Sequence, residues 1–135
     1  MSVRYLDTSA VLRASIESGS SPDIETKIRV AEALLTSRLS IVEASRAIHR
    51  LRQLGQLNET RLADAEREIE SLWARCDLWE LTPEVCETAR RVAPTKMLRT
   101  LDALHLAIFV LARQRIAGLE LVTADERLRA ATESF

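Results

Sequence analysis

The sequence predicts an α/β fold in which helices cover both faces of a short parallel sheet. Short β-leaning apolar runs alternate with helical segments, and the connections between them are brief, which is the pattern of successive strand–helix–strand crossovers. One late helix, residues 101–116, is apolar on nearly all sides, as a helix in the centre of a domain must be. With 135 residues, 47% hydrophobic and 29% charged, the chain fills one core and leaves little for a second, so one domain over residues 1–135 is expected. There is no internal repeat, linker or low-complexity tract.

Residues 3–6 form a β-leaning run ending at Asp7, and Thr8 or Ser9 can cap a helix reaching Glu17. Gly19, its neighbouring serines and Pro22 mark residues 18–23 as a loop, followed by a charged helix from Asp23 into Ala33 and a brief strand at 34–36. Ser37 and Ser40 are equally good starts for the next helix, the second completing a capping box with Glu43, and Gly55 stops it. Asn58 caps a helix to Arg75 in which Leu62, Ala65, Ile69, Leu72 and Trp73 recur at three- and four-residue steps and build one apolar face. Residues 78–81 read as a strand. Thr82 and Pro83 open a further helix, which Pro94 ends, and Thr100 caps the central helix. Gly118 closes that helix, residues 119–123 form the last strand, and Asp125 starts a final helix to Glu133.

Composition removes several function classes. Nineteen basic against twenty acidic residues leave a formal charge of -1, without the basic excess usual in a nucleic-acid binder. The longest apolar run, residues 103–112, contains His105 and is far short of the ~20 residues needed to span a bilayer. Arg4 and Asp7 interrupt the stretch a signal peptide would need, so a cytoplasmic location is expected. Cys76 and Cys86 form neither a CxxC nor a zinc pattern with His49 and His105, and are read as small buried hydrophobes. Gly19, Gly55 and Gly118 build no dinucleotide or phosphate-cradling loop.

Most of the acids lie on solvated helix faces, as Asp64, Glu66 and Glu70 do. Asp7, Glu43, Asp102 and Asp125 differ, because each stands where a strand hands over to a helix or near a helix N-terminus. Singly, Asp102 or Asp125 is explained by the helix macrodipole, at about 0.3–1 kcal/mol, and Asp7 by an Asx turn. In a parallel sheet, however, the crevice outside the strands' carboxyl ends is where ligands bind. If the fold gathers these carboxylates there, they repel unless protons or a cation intervene. Mg²⁺ or Mn²⁺ suits such a site, since hard cations take oxygen ligands and keep several waters. A metal so held can deprotonate water and stabilise the leaving oxygen of a phosphodiester.

Four segments carry a family resemblance: VRYLDTSAVL at residues 3–12, TSRLSIVE at 36–43, LDALHLA at 101–107 and TADERL at 123–128. Together they resemble the acidic motifs of PIN domains in order and spacing, and most of all those of VapC-type ribonuclease toxins of toxin–antitoxin pairs. The resemblance implies a PIN-like three-layer α/β/α sandwich with a short, mainly parallel central sheet. It implies a metal-dependent endoribonuclease in which Asp7, Glu43, Asp102 and Asp125 bind one or two Mg²⁺ or Mn²⁺ ions, with Ser9 and Thr123 making hydroxyl contacts in the same site. A cognate antitoxin that covers the groove and a homodimer follow from it as expected partners. The sequence ends at Phe135, where many members continue into a final strand, which predicts a shorter sheet edge and leaves the four motifs untouched.

RNA phosphate would need cations near the carboxylates. Arg46 and Arg50 follow Glu43 at i+3 and i+7 on one helix face, although Arg46 could equally pair with Glu43 itself. Arg99 and Arg127, beside Asp102 and Asp125, are further candidates. Two divalent cations would take the formal charge from -1 to about +3, so overall balance conceals a local separation of charge. His105, three residues after Asp102, is either a general base or a satisfied core histidine, and the second reading is preferred.

The alternatives are a non-toxin PIN nuclease of RNA processing and a non-catalytic binding module. A haloacid-dehalogenase phosphatase would need a second Asp at position 9, which is serine, and a receiver domain would need a late Lys in a context Lys96 lacks. Residues 41–54 and 58–75 mimic a helix-turn-helix, but the second segment is too acidic to face DNA phosphates. Such an amphipathic pair better suits a dimer contact or an antitoxin helix.

Overall fold

β1 (Val3–Leu6) is the hub of the architecture: Arg4 pairs with Leu34 on one side and with Glu120 on the other, both in parallel. A computed structural model describes residues 2–133. After β1 come α1 (Thr8–Ala14), α2 (Pro22–Val30), β2 (Ala33–Ser37), α3 (Arg38–Leu54), α4 (Glu59–Arg75), β3 (Cys76–Trp79), α5 (Pro83–Ala89), α6 (Thr100–Arg115), β4 (Glu120–Val122) and α7 (Glu126–Thr132). The strand order is β3-β2-β1-β4, and every pairing is parallel.

Strand alternation splits the interior in two. Leu6, Leu34 and Val122 face a core closed by α1 to α4, including Val11, Ile48, Leu62 and Leu72. Tyr5, Leu35 and Leu121 face a second core built on Leu106, Phe109 and Leu128 of α6 and α7. These cores on opposite faces of the sheet are the two interfaces of an α/β/α sandwich, and they explain why the short strands read as continuous apolar runs.

Several boundaries differ from the sequence reading. Asp7, not Thr8 or Ser9, caps α1, with its side chain accepting from the Ala10 N–H, and the helix ends at Ala14 in turns that run to Ser20. Ser37 wins over Ser40 as the cap of α3 by accepting from the Leu39 N–H, while Ser40 is buried against Thr36. Gly55 closes α3 as expected, at a positive φ of 65° with its N–H on the Leu51 and Arg52 carbonyls. β3 starts two residues before the predicted strand, because Cys76 pairs with Leu34 directly from the end of α4 with no intervening loop. α5 stops at Ala89, well before Pro94, and residues 90–99 make turns. α6 starts at Thr100 behind Arg99, so Thr100 is its first residue, not its cap. Cys86 is exposed and Cys76 half-buried, so neither is the buried hydrophobe expected. Phe135 lies outside the described residues.

Candidate active site

The first crossover carries the chain from β1 to β2 and the last returns it to the opposite side of β1 at β4. The direction of winding therefore reverses between β1 and β4, and at such a switch point a crevice opens beyond the carboxyl ends of the strands. Asp7 follows β1 and Asp125 follows β4 at this edge. Glu43 sits in the second turn of α3, which leaves β2, and Asp102 sits in the first turn of α6.

Asp7 is 4% exposed and held from three sides. Its Oδ1 accepts from the Ala10 N–H at 3.0 Å and the Ser9 hydroxyl at 2.8 Å; its Oδ2 accepts from the Thr123 hydroxyl at 2.7 Å. Ser9 and Thr123 are in turn fixed as acceptors, from the Ala124 N–H at 2.8 Å and the Asp125 N–H at 2.9 Å. Burial pushes the Asp7 carboxyl up, and the Thr123, Ala10 and Ser9 hydrogen bonds oppose that rise without cancelling it.

Glu43 is held differently. Burial pushes its carboxyl up, but hydrogen bonds from His105 and Thr8 and the charges of His105 and Arg99 outweigh that and leave it below the usual range. Asp102 goes the other way, raised by burial and by the charges of Asp125 and Glu43, against the attraction of Arg99 and His105. Asp102 therefore feels Asp125 and Glu43 as like-charged neighbours. Asp125 caps α7 through Oδ1, which accepts from the Arg127 and Leu128 N–H groups.

The family described as PIN domain matches residues 4–133. The chain belongs to the PIN-domain family. Among its relatives, Ribonuclease VapC45 of Mycobacterium tuberculosis is 35% identical over 129 residues, spanning 95% of this chain and 88% of the relative. Ribonuclease VapC35 of the same organism is 34% identical over 137 residues, 97% and 90% of the two chains. The crystal structure of PAE2754 from Pyrobaculum aerophilum superposes with a TM-score of 0.65 at 26% identity, covering 96% of this chain and 79% of that one.

The donor set of this PIN domain fits a hard divalent cation. On Asp7 the Ala10 N–H and the Ser9 hydroxyl meet Oδ1 and the Thr123 and Ser9 hydroxyls meet Oδ2, so it is the most heavily hydrogen-bonded of the four acids. Oε2 of Glu43, Oδ2 of Asp125 and both oxygens of Asp102 accept no hydrogen bond among the described residues. No three acidic, histidine or cysteine groups among the described residues close into a preformed cage. Mg²⁺, which takes one or two carboxylates and keeps its waters, does not require such a cage.

The arginines separate. Arg99 lies 3.7 Å from Asp102 and contributes to the field at Glu43. Arg127 is exposed as the second residue of α7, two positions after Asp125. Arg46 is exposed and does not pair with Glu43, whose Oε1 is taken by Thr8 and His105. Arg50 lines a groove with Leu12, Ile16, Leu51 and Leu57, between α1, α3 and the start of α4.

Two contacts of the network lay outside the sequence reading. Thr8, read only as a candidate cap, donates to Glu43 Oε1 at 2.6 Å, and His105, a satisfied core histidine as read, is 2% exposed with its Nε2 2.7 Å from the same oxygen. The available signal was that a buried polar group on an apolar helix needs a partner.

Proposed function

We propose that this PIN domain is a metal-dependent endoribonuclease, the toxin of a toxin–antitoxin pair neutralised by a cognate antitoxin. The observation that carries the reading is the Asp7 carboxylate held across the switch point by Thr123, with the free oxygens of Glu43, Asp102 and Asp125 around the same crevice. The relatives named as ribonucleases, which align over nearly the whole chain, support RNA as the substrate.

Asp7, Glu43, Asp102 and Asp125 would hold one or two Mg²⁺ or Mn²⁺ ions. A metal there supplies a deprotonated water and offsets charge on the departing oxygen of the phosphodiester. Ser9 and Thr123 keep the Asp7 carboxylate aimed, and Arg99 and Arg127 are the cations best placed to hold a phosphate at the rim, with Arg46 further along α3. Arg50 contributes to a different surface. Its groove, apolar at Leu12, Ile16, Leu51 and Leu57 and rimmed by Arg50, Arg61 and Glu17, suits an amphipathic antitoxin helix. A homodimer completes the reading.

Purified protein tested on single-stranded RNA should cleave with Mg²⁺ or Mn²⁺ and stop with chelator. Its expression alone should arrest growth, and co-expression of the small protein encoded beside it should relieve the arrest. Cleavage without growth arrest would redirect the reading to RNA processing. No cleavage by folded protein with either metal would refute the enzyme reading.

A further inference from the structure

His105 stands in the most apolar helix of the protein, 2% exposed, with both ring nitrogens engaged. Nδ1 lies 2.9 Å from the Tyr5 hydroxyl; Nε2 lies 2.7 Å from Glu43 Oε1 and 3.2 Å from Thr8 Oγ1. The roles of these groups follow from their chemistry. An ionised carboxylate only accepts, so Nε2 carries the hydrogen and donates to Glu43. Nδ1 meets the Tyr5 hydroxyl in either protonation state, accepting from it in the neutral ring and donating to it in the protonated one. Tyr5 is fully buried in β1, so the partner that selects the tautomer cannot be replaced by bulk water.

We propose that His105 is a positioning residue: clamped by Tyr5, it holds Glu43 through Oε1 and thereby presents Oε2 to the metal crevice. The inference deepens the metal-dependent reading above and rests on it. His105 and Thr8 both converge on Oε1, and Oε2 accepts from no group among the described residues. Of the two oxygens, only one is therefore available to a cation. The clamp also joins three elements that deliver ligands. Tyr5 precedes Asp7 on β1, Glu43 comes from α3, and His105 lies one helical turn after Asp102 on α6. The geometry argues against a general-base role, because Nε2 faces Glu43 and the imidazole has no open side toward a reacting water.

Partners behind a metal ligand typically change metal affinity by about 10–100-fold when removed. Mn²⁺ binding to the purified full chain, followed by titration calorimetry, tests the role in wild type, His105→Leu, His105→Gln and Tyr5→Phe. His105→Leu should weaken Mn²⁺ binding by about 10–100-fold, and Tyr5→Phe by a smaller factor. His105→Gln should rescue, since its amide nitrogen reaches the Nε2 position and can still donate to Oε1. Metal-free melting temperatures report packing separately, and His105→Gln with Tyr5→Phe carry the test if His105→Leu fails to fold.

A double-mutant cycle supplies the reading that a structural role would not change: in a Glu43→Ala background, His105→Leu should cost no further affinity. An equal loss in both backgrounds, or failure of glutamine to rescue, overturns the proposal. Wild-type affinity in His105→Leu overturns it while leaving the metal reading intact. No Mn²⁺ binding by wild type overturns the metal reading, and this proposal with it.

Discussion

The hydroxyl of Thr123, just past β4, donates to Oδ2 of Asp7, just past β1, over 2.7 Å. The residues are 116 positions apart, and their contact ties together the two strands between which the sheet reverses its winding. Asp7 also caps α1 through the Ala10 N–H, so under the proposed function one carboxylate serves both the helix and the metal.

Those two roles separate in the Asp7→Asn variant. The amide oxygen can still accept from the Ala10 N–H and cap α1, while a ligand charge disappears. Cleavage should fall by at least ~10²-fold, the scale of losing a preorganised electrostatic contact in a site, and circular dichroism and the metal-free melting temperature should show the fold retained. Wild-type activity in this variant would remove Asp7 from the mechanism.

Thr123→Val tests the contact from the other side. It keeps the side-chain shape but removes the shorter of the two hydroxyl contacts on Asp7 Oδ2 and leaves the part-buried Asp125 N–H without its acceptor. Unsatisfied groups of this kind cost about 1–3 kcal/mol, so the urea midpoint should drop measurably along with cleavage. An unchanged midpoint would show that water replaces the hydroxyl.

The arginines should part in the same assay. Arg99→Ala should raise KM for RNA and weaken the salt dependence of binding, because Arg99 lies beside Asp102. Arg50→Ala should leave cleavage by the isolated protein unchanged and weaken antitoxin binding, because Arg50 lines the groove between α1, α3 and α4. The reverse pattern, read by cleavage kinetics and pull-down affinity, would exchange the two surfaces.

The raised Asp7 carboxyl makes a prediction about pH. Between the ordinary aspartate range near 4 and its raised folded-state value, the native protein retains a proton that the unfolded chain has lost, so Asp7 lowers stability as pH rises through that window. Asp102, also raised, acts in the same direction, whereas the lowered Glu43 contributes stability that is lost only as pH falls through its own depressed value. In metal-free protein, melting temperature against pH for wild type minus Asp7→Asn isolates the Asp7 contribution. The difference should grow more negative toward neutral pH; a flat difference would contradict the assignment.

Much of the site was legible because its acids stand at strand ends, where local signals are strong: a short apolar run, then Asp7; another, then Asp125. Gly55 and Asn58 were equally legible, since each cap is a local event. β3 was misplaced because Arg75 passes into Cys76 with no glycine or proline to mark the change, while Leu78, Trp79 and Leu81 look more strand-like than Cys76 and Asp77. Asp7 reads from the sequence as a ligand or an Asx turn, and its capping role was hidden because Thr8 and Ser9 beside it are themselves good caps. The Thr8, Tyr5 and His105 contacts were out of reach of sequence patterns, because His105 meets Tyr5 of β1 and Thr8 of α1 across about a hundred residues of chain.

The most direct test of the central claim is cleavage of a defined single-stranded RNA by the purified protein after metal is stripped, with Mn²⁺ then titrated back into wild type and Asp7→Asn. The account predicts no cleavage in chelator, recovery in wild type as Mn²⁺ is restored, and no recovery in the variant. Cleavage by wild type that persists in chelator, or full recovery by Asp7→Asn, would contradict it.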